Sequence, residues 1–326
     1  MKKQMYNILF CSAGRRVKLL EDFKETIGEK GKIVVAENSI YAPARYVADV
    51  SYTVPKIDSL EYINEIIKIC KKEQIKAVFT LIDPEIELLA KNKKAFEDIG
   101  TMVFTPSEKT AELCFDKYEM YKVLRQNNIN TALTYGDIEE FDEGYKDKKI
   151  AFPVFVKPRT GSGSVGARKI NSMNELKEAM EENPMLIIQE FMNGIDLDAD
   201  VYIDAISKKP VSIFSKKKIE TKIGGANKTI SFKDEKLFEF VKRIVKLFDF
   251  CGTIDMDFFY RDGKYYLSEI NPRFGGAYIH AYGAGVNFPQ LVLNNIDGIE
   301  NKENIGNYDE DVMMLMYDDI IIKKLD

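Results

Sequence analysis

The sequence predicts an α/β protein with a Rossmann-like parallel-sheet domain over residues 1–106. A second unit over 107–326 opens with a helical segment and continues as a small α+β part and a strand-rich part. Three observations carry this reading. Short apolar runs and amphipathic stretches alternate over the first hundred residues, which is the pattern of strands joined by helical crossovers. A small α+β segment follows, spanning about 128–191. From about 196 to 326 the pattern turns strand-rich, with a two-residue hairpin signal at Asp262-Gly263.

Taken in order, Tyr6–Phe10 reads as a buried strand, Val17–Ile27 as an amphipathic helix and Lys32–Ala36 as the second strand. Asp58-Ser-Leu-Glu61 has the form of a capping box and predicts a helix from there to about Glu73. Ala77–Ile82 is a strand, Pro84–Ile99 a helix with proline in its first turn, and Thr101–Thr105 a strand. One helix is expected from Ser107 to Asn127. Strands follow near Ile129–Leu133, Pro153–Lys157 and Ala167–Ile170, then a helix opened by Ser172-Met-Asn-Glu175 and a strand over Met185–Phe191. A helix over Asp234–Phe248 precedes two strands, Gly252–Tyr260 and Lys264–Asn271.

Composition excludes several classes. The net charge of −5 argues against a nucleic-acid binder that works by neutralising phosphates. No apolar run is long enough to span a membrane, and Tyr6–Phe10 is too short for a signal peptide, so a cytoplasmic protein without a membrane partner is expected. The four cysteines have no paired spacing and read as free thiols. With His280 as the only histidine, a histidine-rich metal site is excluded. A Ser-His-Asp hydrolase would have to be built on that one residue, without a Gly-x-Ser-x-Gly elbow.

Two segments carry candidate chemistry. Gly161-Ser162-Gly163-Ser164-Val165-Gly166 contains Gly-x-Gly-x-x-Gly but leads into a strand-like Ala167–Ile170 instead of a helix. That disfavours a dinucleotide-binding oxidoreductase, and no Lys-Ser/Thr follows to make a Walker loop. A glycine-rich hairpin remains, able to lay backbone N–H groups over a triphosphate, with Lys157 at the end of the entering strand. Its plain reading is a flexible surface turn. At the other end, Glu269 and Asn271 share one strand face. Asp257 lies across from Glu269 if the intervening turn has an odd number of residues. Adjacent carboxylates in an apolar hairpin call for a cation, and magnesium, or manganese in its place, suits oxygen ligands and phosphates. Arg273 and two glycines follow. The plain alternative there is a surface ion pair, Arg273 with Glu269.

Together these motifs resemble the ATP-grasp superfamily, in particular single-copy proteins similar to the large subunit of carbamoyl-phosphate synthase, over about Ile8–Ile322. The resemblance implies two α+β lobes sandwiching ATP, preceded by a pre-ATP-grasp domain with a Ser12-Ala-Gly14-Arg15-Arg16 turn. It places Lys117 and Lys157 on the nucleotide phosphates and makes Gly161–Gly166 the mobile flap. Glu190 would accept from the adenine amino group, Phe191 and Met192 would line its edge by their backbone, and Asp196 would bind the ribose. Asp257, Glu269 and Asn271 would be magnesium ligands, and Arg273, with Lys157, would stabilise the transferred phosphate. Plain readings stand beside these: a solvated helix lysine for Lys117, an edge position for Glu190 and a turn residue for Asp196. The resemblance puts the basic stretch Lys216–Lys218 and Lys222 near the phosphates, and its plain reading is a solvated charge run. The implied activity joins a small-molecule carboxylate to an amine through an acyl phosphate, and a non-catalytic ATP sensor is the alternative. Ser12, Gly14, Arg15 and Asp83, in loops at carboxyl ends of strands, are the candidate substrate contacts. A homodimer is the ordinary assembly for such a chain.

Overall fold

A computed structural model describes residues 5–161, 165–222 and 225–324. The chain begins with a five-stranded parallel sheet in the order β3-β2-β1-β4-β5. Its strands are β1 (Ile8–Cys11), β2 (Ile33–Glu37), β3 (Val50–Thr53), β4 (Ala77–Thr80) and β5 (Met102–Val103). Its helices are α1 (Val17–Ile27), α2 (Ala44–Val47), α3 (Tyr62–Glu73), α4 (Asp83–Lys91) and α5 (Lys93–Glu97). Successive strand residues are buried on opposite faces, as helices on both sides require. Phe10, Val35 and Phe79 pack against Leu20 and Phe23 of α1, while Leu9, Val34 and Val78 pack against Ile66 and Ile69 of α3 and Phe96 of α5.

Three local expectations are corrected in this sheet. Asp58-Ser-Leu-Glu61 forms no capping box: the helix starts at Tyr62, and Glu61 caps it with no side-chain bond. Ser59 instead accepts from the Glu61 N–H at 3.3 Å, so the short polar side chain makes a turn. Pro84–Ile99 is two helices broken at Asn92, whose side chain donates back to the Leu88 carbonyl at 2.8 Å. Strand β3, with half-buried residues, is an edge strand that the apolar pattern did not announce.

The stretch expected as one helix is also two, α6 (Glu108–Phe115) and α7 (Lys117–Gln126). Asp116 stops the first and caps the second, accepting from the N–H groups of Tyr118 and Glu119 at 3.1 Å. A four-stranded sheet follows, ordered β6-β9-β7-β8: β6 (Thr134–Tyr135), β7 (Val154–Pro158), β8 (Arg168–Ile170) and β9 (Leu186–Glu190). The strand expected near Ile129–Leu133 is displaced to Thr134–Tyr135, with a single bridge from Thr131 to Leu267. Helices α8 (Ile138–Lys146) and α9 (Met173–Glu182) cover one face through Phe141, Leu176 and Ala179. Ser172 caps α9 as expected.

The last sheet has six strands in the order β14-β13-β10-β11-β12-β15. These are β10 (Ile195–Ile203), β11 (Pro210–Lys222), β12 (Gly225–Phe232), β13 (Gly252–Arg261), β14 (Lys264–Asn271) and β15 (Met313–Leu315). Helices α10 (Glu235–Val245), α11 (Tyr278–Gly283) and α12 (Phe288–Ile296) pack on it. Leu197, Ala199, Val201, Ile254, Met256 and Phe258 form its apolar face with Leu237, Val241 and Ile244 of α10. Phe274, just past β14, inserts between the sheets, with its ring 5.6 Å from both Phe23 and Phe79. One continuous core therefore joins the first sheet to the last.

A buried polar knot closes the far end of that core. The Asp204 carboxylate accepts from Asn295 Nδ2 at 2.6 Å, from Asn301 N and Nδ2 at 3.0 and 2.8 Å, and from the N–H groups of Ile206 and Ser207 at 3.0 and 2.7 Å. Burial disfavours its charge, but these donors outweigh burial and hold it down to about 2, from 3.8. Because the folded value is depressed, its stabilisation is fully present above pH 3.8 and is lost as pH falls through about 2. Its size is about 2 kcal/mol by proton linkage. Asp204→Ala should cost about 3 kcal/mol, since buried donors lose their acceptor, read as a lower urea midpoint at pH 7. An unchanged midpoint would remove the knot from the account of stability.

Candidate active site

The three sheets enclose one large cavity of about 1570 Å³. Its roof is the uncovered face of the four-stranded sheet, with Phe155, Lys157 and Gln189. Its base is the polar face of the last sheet, and its side wall is the carboxyl end of β4 with the start of α1.

The base follows from register. Alternation puts Asp196, Asp198 and Asp200 of β10 on one face, with Lys216 and Lys218 of β11, Asp255 and Asp257 of β13, and Glu269 and Asn271 of β14. Lys216, Asp198, Asp257 and Glu269 form one row across four strands, and Asp200, Asp255 and Asn271 form the next. The two-residue turn at Asp262-Gly263 would by itself pair Asp257 with Ser268. A bulge at Ser268 supplies the extra residue and brings Glu269 opposite Asp257. The odd count required for that pairing comes from the strand, not from the turn.

Lysines answer this acidity. Lys216 is fully buried, with Nζ 2.9 Å from Asp198 and in close contact with Asp200. Burial pushes both aspartates up to about 6 against the pull of Lys216. Asp198, Asp200 and Asp255 offer oxygens within 4.8 Å of one another, a spacing suited to a metal, but the Lys216 ammonium is the cation there. Lys218 bonds Asp257 and lies 3.1 Å from Asp196. The expectation of a solvated charge run is therefore wrong for Lys216 and Lys218. Lys217, exposed on the other face over Phe232, keeps the solvated reading.

The roof lysines converge on the same carboxylates. Arg159 grips Asp116 through Nε at 2.9 and 2.8 Å, pinning the start of α7 to the end of β7. That places Lys117 beneath the hairpin, donating to the Gly161 carbonyl and standing 3.9 Å from Glu269. Lys157 is buried beside it. Burial lowers its pKa and the Lys117 charge lowers it further, while Glu269 and Asp257 oppose. Asp257, Glu269 and Asn271 thus point into a cavity where ammonium groups already stand against two of them. The three oxygen ligands suit magnesium in kind, and an ion there would displace the Lys218 and Lys117 contacts to Asp257 and Glu269.

At the inner wall, Glu190 lines the cavity, but its carboxylate is paired with Arg261 at 2.7 Å. That pair holds the Glu190 side chain at the wall and leaves its carboxylate further lone pairs for an adenine amino group. Phe191 and Met192 also line the cavity, and their N–H groups donate to no other described residue. Asp196 lies on the base, half exposed, and not in a turn. Arg273 does not pair with Glu269. Its guanidinium meets Asp83 at 2.9 and 3.1 Å and Asp255 at 3.6 Å, tying the last sheet to the first.

Of the other expected residues, Gly161 and Val165 line the cavity and Gly166 does not. Ser162, Gly163 and Ser164 lie outside the described residues, as does the Ile223-Gly224 part of the basic stretch. Arg15 and Asp83 line the cavity, but Ser12 and Gly14 do not. Gly14, at a φ of 56° that glycine adopts freely, gives its N–H to Glu37 at 2.6 Å. His280 is buried away from the cavity between Thr229 and the Val312 carbonyl, and burial holds it at about 4, neutral. Sequence reading missed Asp198, Asp200, Asp255 and Arg16. The period-two runs Asp196-x-Asp198-x-Asp200 and Asp255-x-Asp257 were the available signal for the first three.

Comparison with known proteins agrees with this architecture. A model of the ATP-grasp domain matches residues 114–277, and a model of a PylC-like N-terminal domain matches residues 8–104. A D-alanine–D-alanine ligase of Acetivibrio thermocellus is 29% identical over 208 residues, covering 54% of this chain and 53% of that protein. The large chain of carbamoyl phosphate synthase from Thermoanaerobacter sp. is 26% identical over 193 residues, 53% of this chain and 17% of that one. The chain thus spans about half the length, or less, of these curated relatives. N5-carboxyaminoimidazole synthetase of Staphylococcus aureus, solved with ADP, superposes with a TM-score of 0.73 at 18% identity, over 94% of this chain and 81% of that one. An L-amino acid ligase of Bacillus licheniformis gives 0.68 at 19% identity, over 92% and 76%. At such identities these structures are alike in fold.

Proposed function

Since this chain belongs to the ATP-grasp family, we propose that it is an ATP-dependent ligase activating a small carboxylate and passing the acyl group to an amine. The observation that carries the proposal is the meeting of Lys117, Lys157 and the Asp257–Glu269 pair across one cavity. The plain readings of the hairpin and of the acidic pair require no such meeting.

In the proposed reaction a carboxylate oxygen attacks the γ-phosphorus and the bond to the β-phosphate oxygen breaks, releasing ADP. An amine nitrogen then attacks the acyl carbon, losing a proton as phosphate leaves. Lys157 and Lys117 reach the phosphates from the roof and Lys218 from the base. The free N–H groups of Phe191 and Met192 take the adenine edge, and Asp196 takes the ribose. Asp257, Glu269 and Asn271 would hold magnesium, which when bound neutralises phosphate charge. Each charge-assisted contact contributes about 1.5–3 kcal/mol, and closure of the hairpin would keep water from the acyl phosphate. Arg273, held by Asp83 and Asp255, acts by positioning the end of β14 and the glycines after it. The four free thiols suit a reducing cytoplasm.

The test is a pairwise screen of carboxylates and amines with Mg-ATP, following phosphate release. The expected result is phosphate and ADP in equal amounts, with turnover requiring a carboxylate and product formation requiring an amine. Tight ATP binding without phosphate release under any pair would instead make the protein a nucleotide sensor. The acidic pair favours turnover, because holding ATP alone does not need two aligned carboxylates.

A further inference from the structure

Besides Lys157, a second cationic side chain of the cavity wall has no carboxylate within ion-pairing distance among the described residues. Arg16 follows the turn after β1, is partly buried, and makes one side-chain hydrogen bond, from Nη1 to the Gly275 carbonyl at 2.7 Å. Among the described residues, no carboxylate lies within ion-pairing distance of it, and Nε and Nη2 have no partner. Arg273 nearby is ion-paired with Asp83 and Asp255, and Arg15 is exposed. Burial lowers the Arg16 pKa to about 10, the charge of Arg273 adds to that, and the more distant Asp255 and Asp83 only partly oppose. A partly desolvated guanidinium facing another cation is favoured by an anion that joins it.

The backbone points the same way. Arg16 precedes α1, which has no side-chain cap, and the N–H groups of Val17, Lys18 and Leu19 donate to no described residue. All three residues line the cavity. Free N–H groups at a helix start and an open guanidinium fork converge on one wall, beside the end of the strand carrying Asn271.

We propose that Arg16, with the open first turn of α1, seats the carboxylate that the enzyme activates. This rests on the ligase reading and adds to it a side-chain anchor on the first sheet. The planar fork matches a carboxylate edge to edge, and the anchor holds the group where the roof lysines present the γ-phosphate.

Phenylglyoxal labelling of the full chain with Mg-ADP present, read by peptide mass mapping, tests the anchor without turnover. Acetate should slow labelling of Arg16 on the order of 10-fold while leaving exposed Arg15 unchanged. Unchanged Arg16 labelling, or protection by inorganic phosphate and not by acetate, overturns the assignment. Once a carboxylate substrate is found, Arg16→Gln should raise its KM on the order of 10- to 100-fold, with the KM for ATP within about twofold. Arg16→Lys should recover part of the loss. An unaltered carboxylate KM in Arg16→Gln also overturns it. Protection of Arg16 by acetate in a chain that turns over no carboxylate would sink the ligase reading and leave the anion seat standing.

Discussion

Lys216→Met is expected to destabilise the protein by about 3–5 kcal/mol at pH 7 to 8, the range for removing one partner of a buried ion pair. Methionine fills nearly the same volume, so packing is preserved and the loss is electrostatic. Asp198 and Asp200 are fully buried and depend on Lys216 for their counter-charge. Their folded pKa values already stand above 3.8, at about 6. An acid raised on folding binds protons more readily in the folded state, so it adds stability as pH falls below that value. In the variant both values rise further. The gap in urea midpoint between wild type and Lys216→Met should therefore be widest near pH 8 and shrink towards pH 5.5. A gap that stays constant across this range, or no gap at pH 8, would show that Lys216 does not hold these charges.

The same cluster explains what was legible in the sequence. The parallel sheet was readable because each strand is a short apolar run and each crossover an amphipathic helix, and both patterns are local. Asp257, Glu269 and Asn271 were readable because the period of two puts them on one face. Their pairing across the hairpin was not, because it depends on a bulge at Ser268 that has no composition signal. Lys216 to Lys218 looked solvated because three consecutive charges are usually exposed. Only the strands on either side show that two of the three face carboxylates. Asp116 ends one helix and starts another because Arg159, forty-three residues later, grips it, and no window along the chain contains both. Arg16 was passed over for Arg15, since adjacent arginines differ in burial only once α1 is placed beside Gly275. Boundaries and cation pairings were set by contacts distant in sequence, whereas element types were set by near ones.

Lys157→Met should move activity and stability in opposite directions. Lys157 is buried on the roof strand, and among the described residues no carboxylate lies within ion-pairing distance of its ammonium. Burial and the neighbouring Lys117 both depress its pKa, and Glu269 and Asp257 only partly oppose them. The ligand-free fold thus holds a desolvated charge that nothing in the chain fully compensates, which is destabilising. Such a group is explained if an anion arrives to meet it, and a nucleotide phosphate is the anion the cavity fits. Replacing it with methionine removes the desolvation cost and keeps the apolar stem. The expectation is a ligand-free melting temperature raised by a few degrees, from about 1 kcal/mol. Phosphate release should fall at least about 1000-fold, comparable to losing one preorganised charge contact in a transition state. Glu269→Gln, which removes charge from the acidic pair, should lose turnover to a similar degree without the thermal gain. A Lys157→Met protein that melts earlier than wild type would mean that Lys157 serves the fold, and retained turnover would mean that the phosphates lie elsewhere.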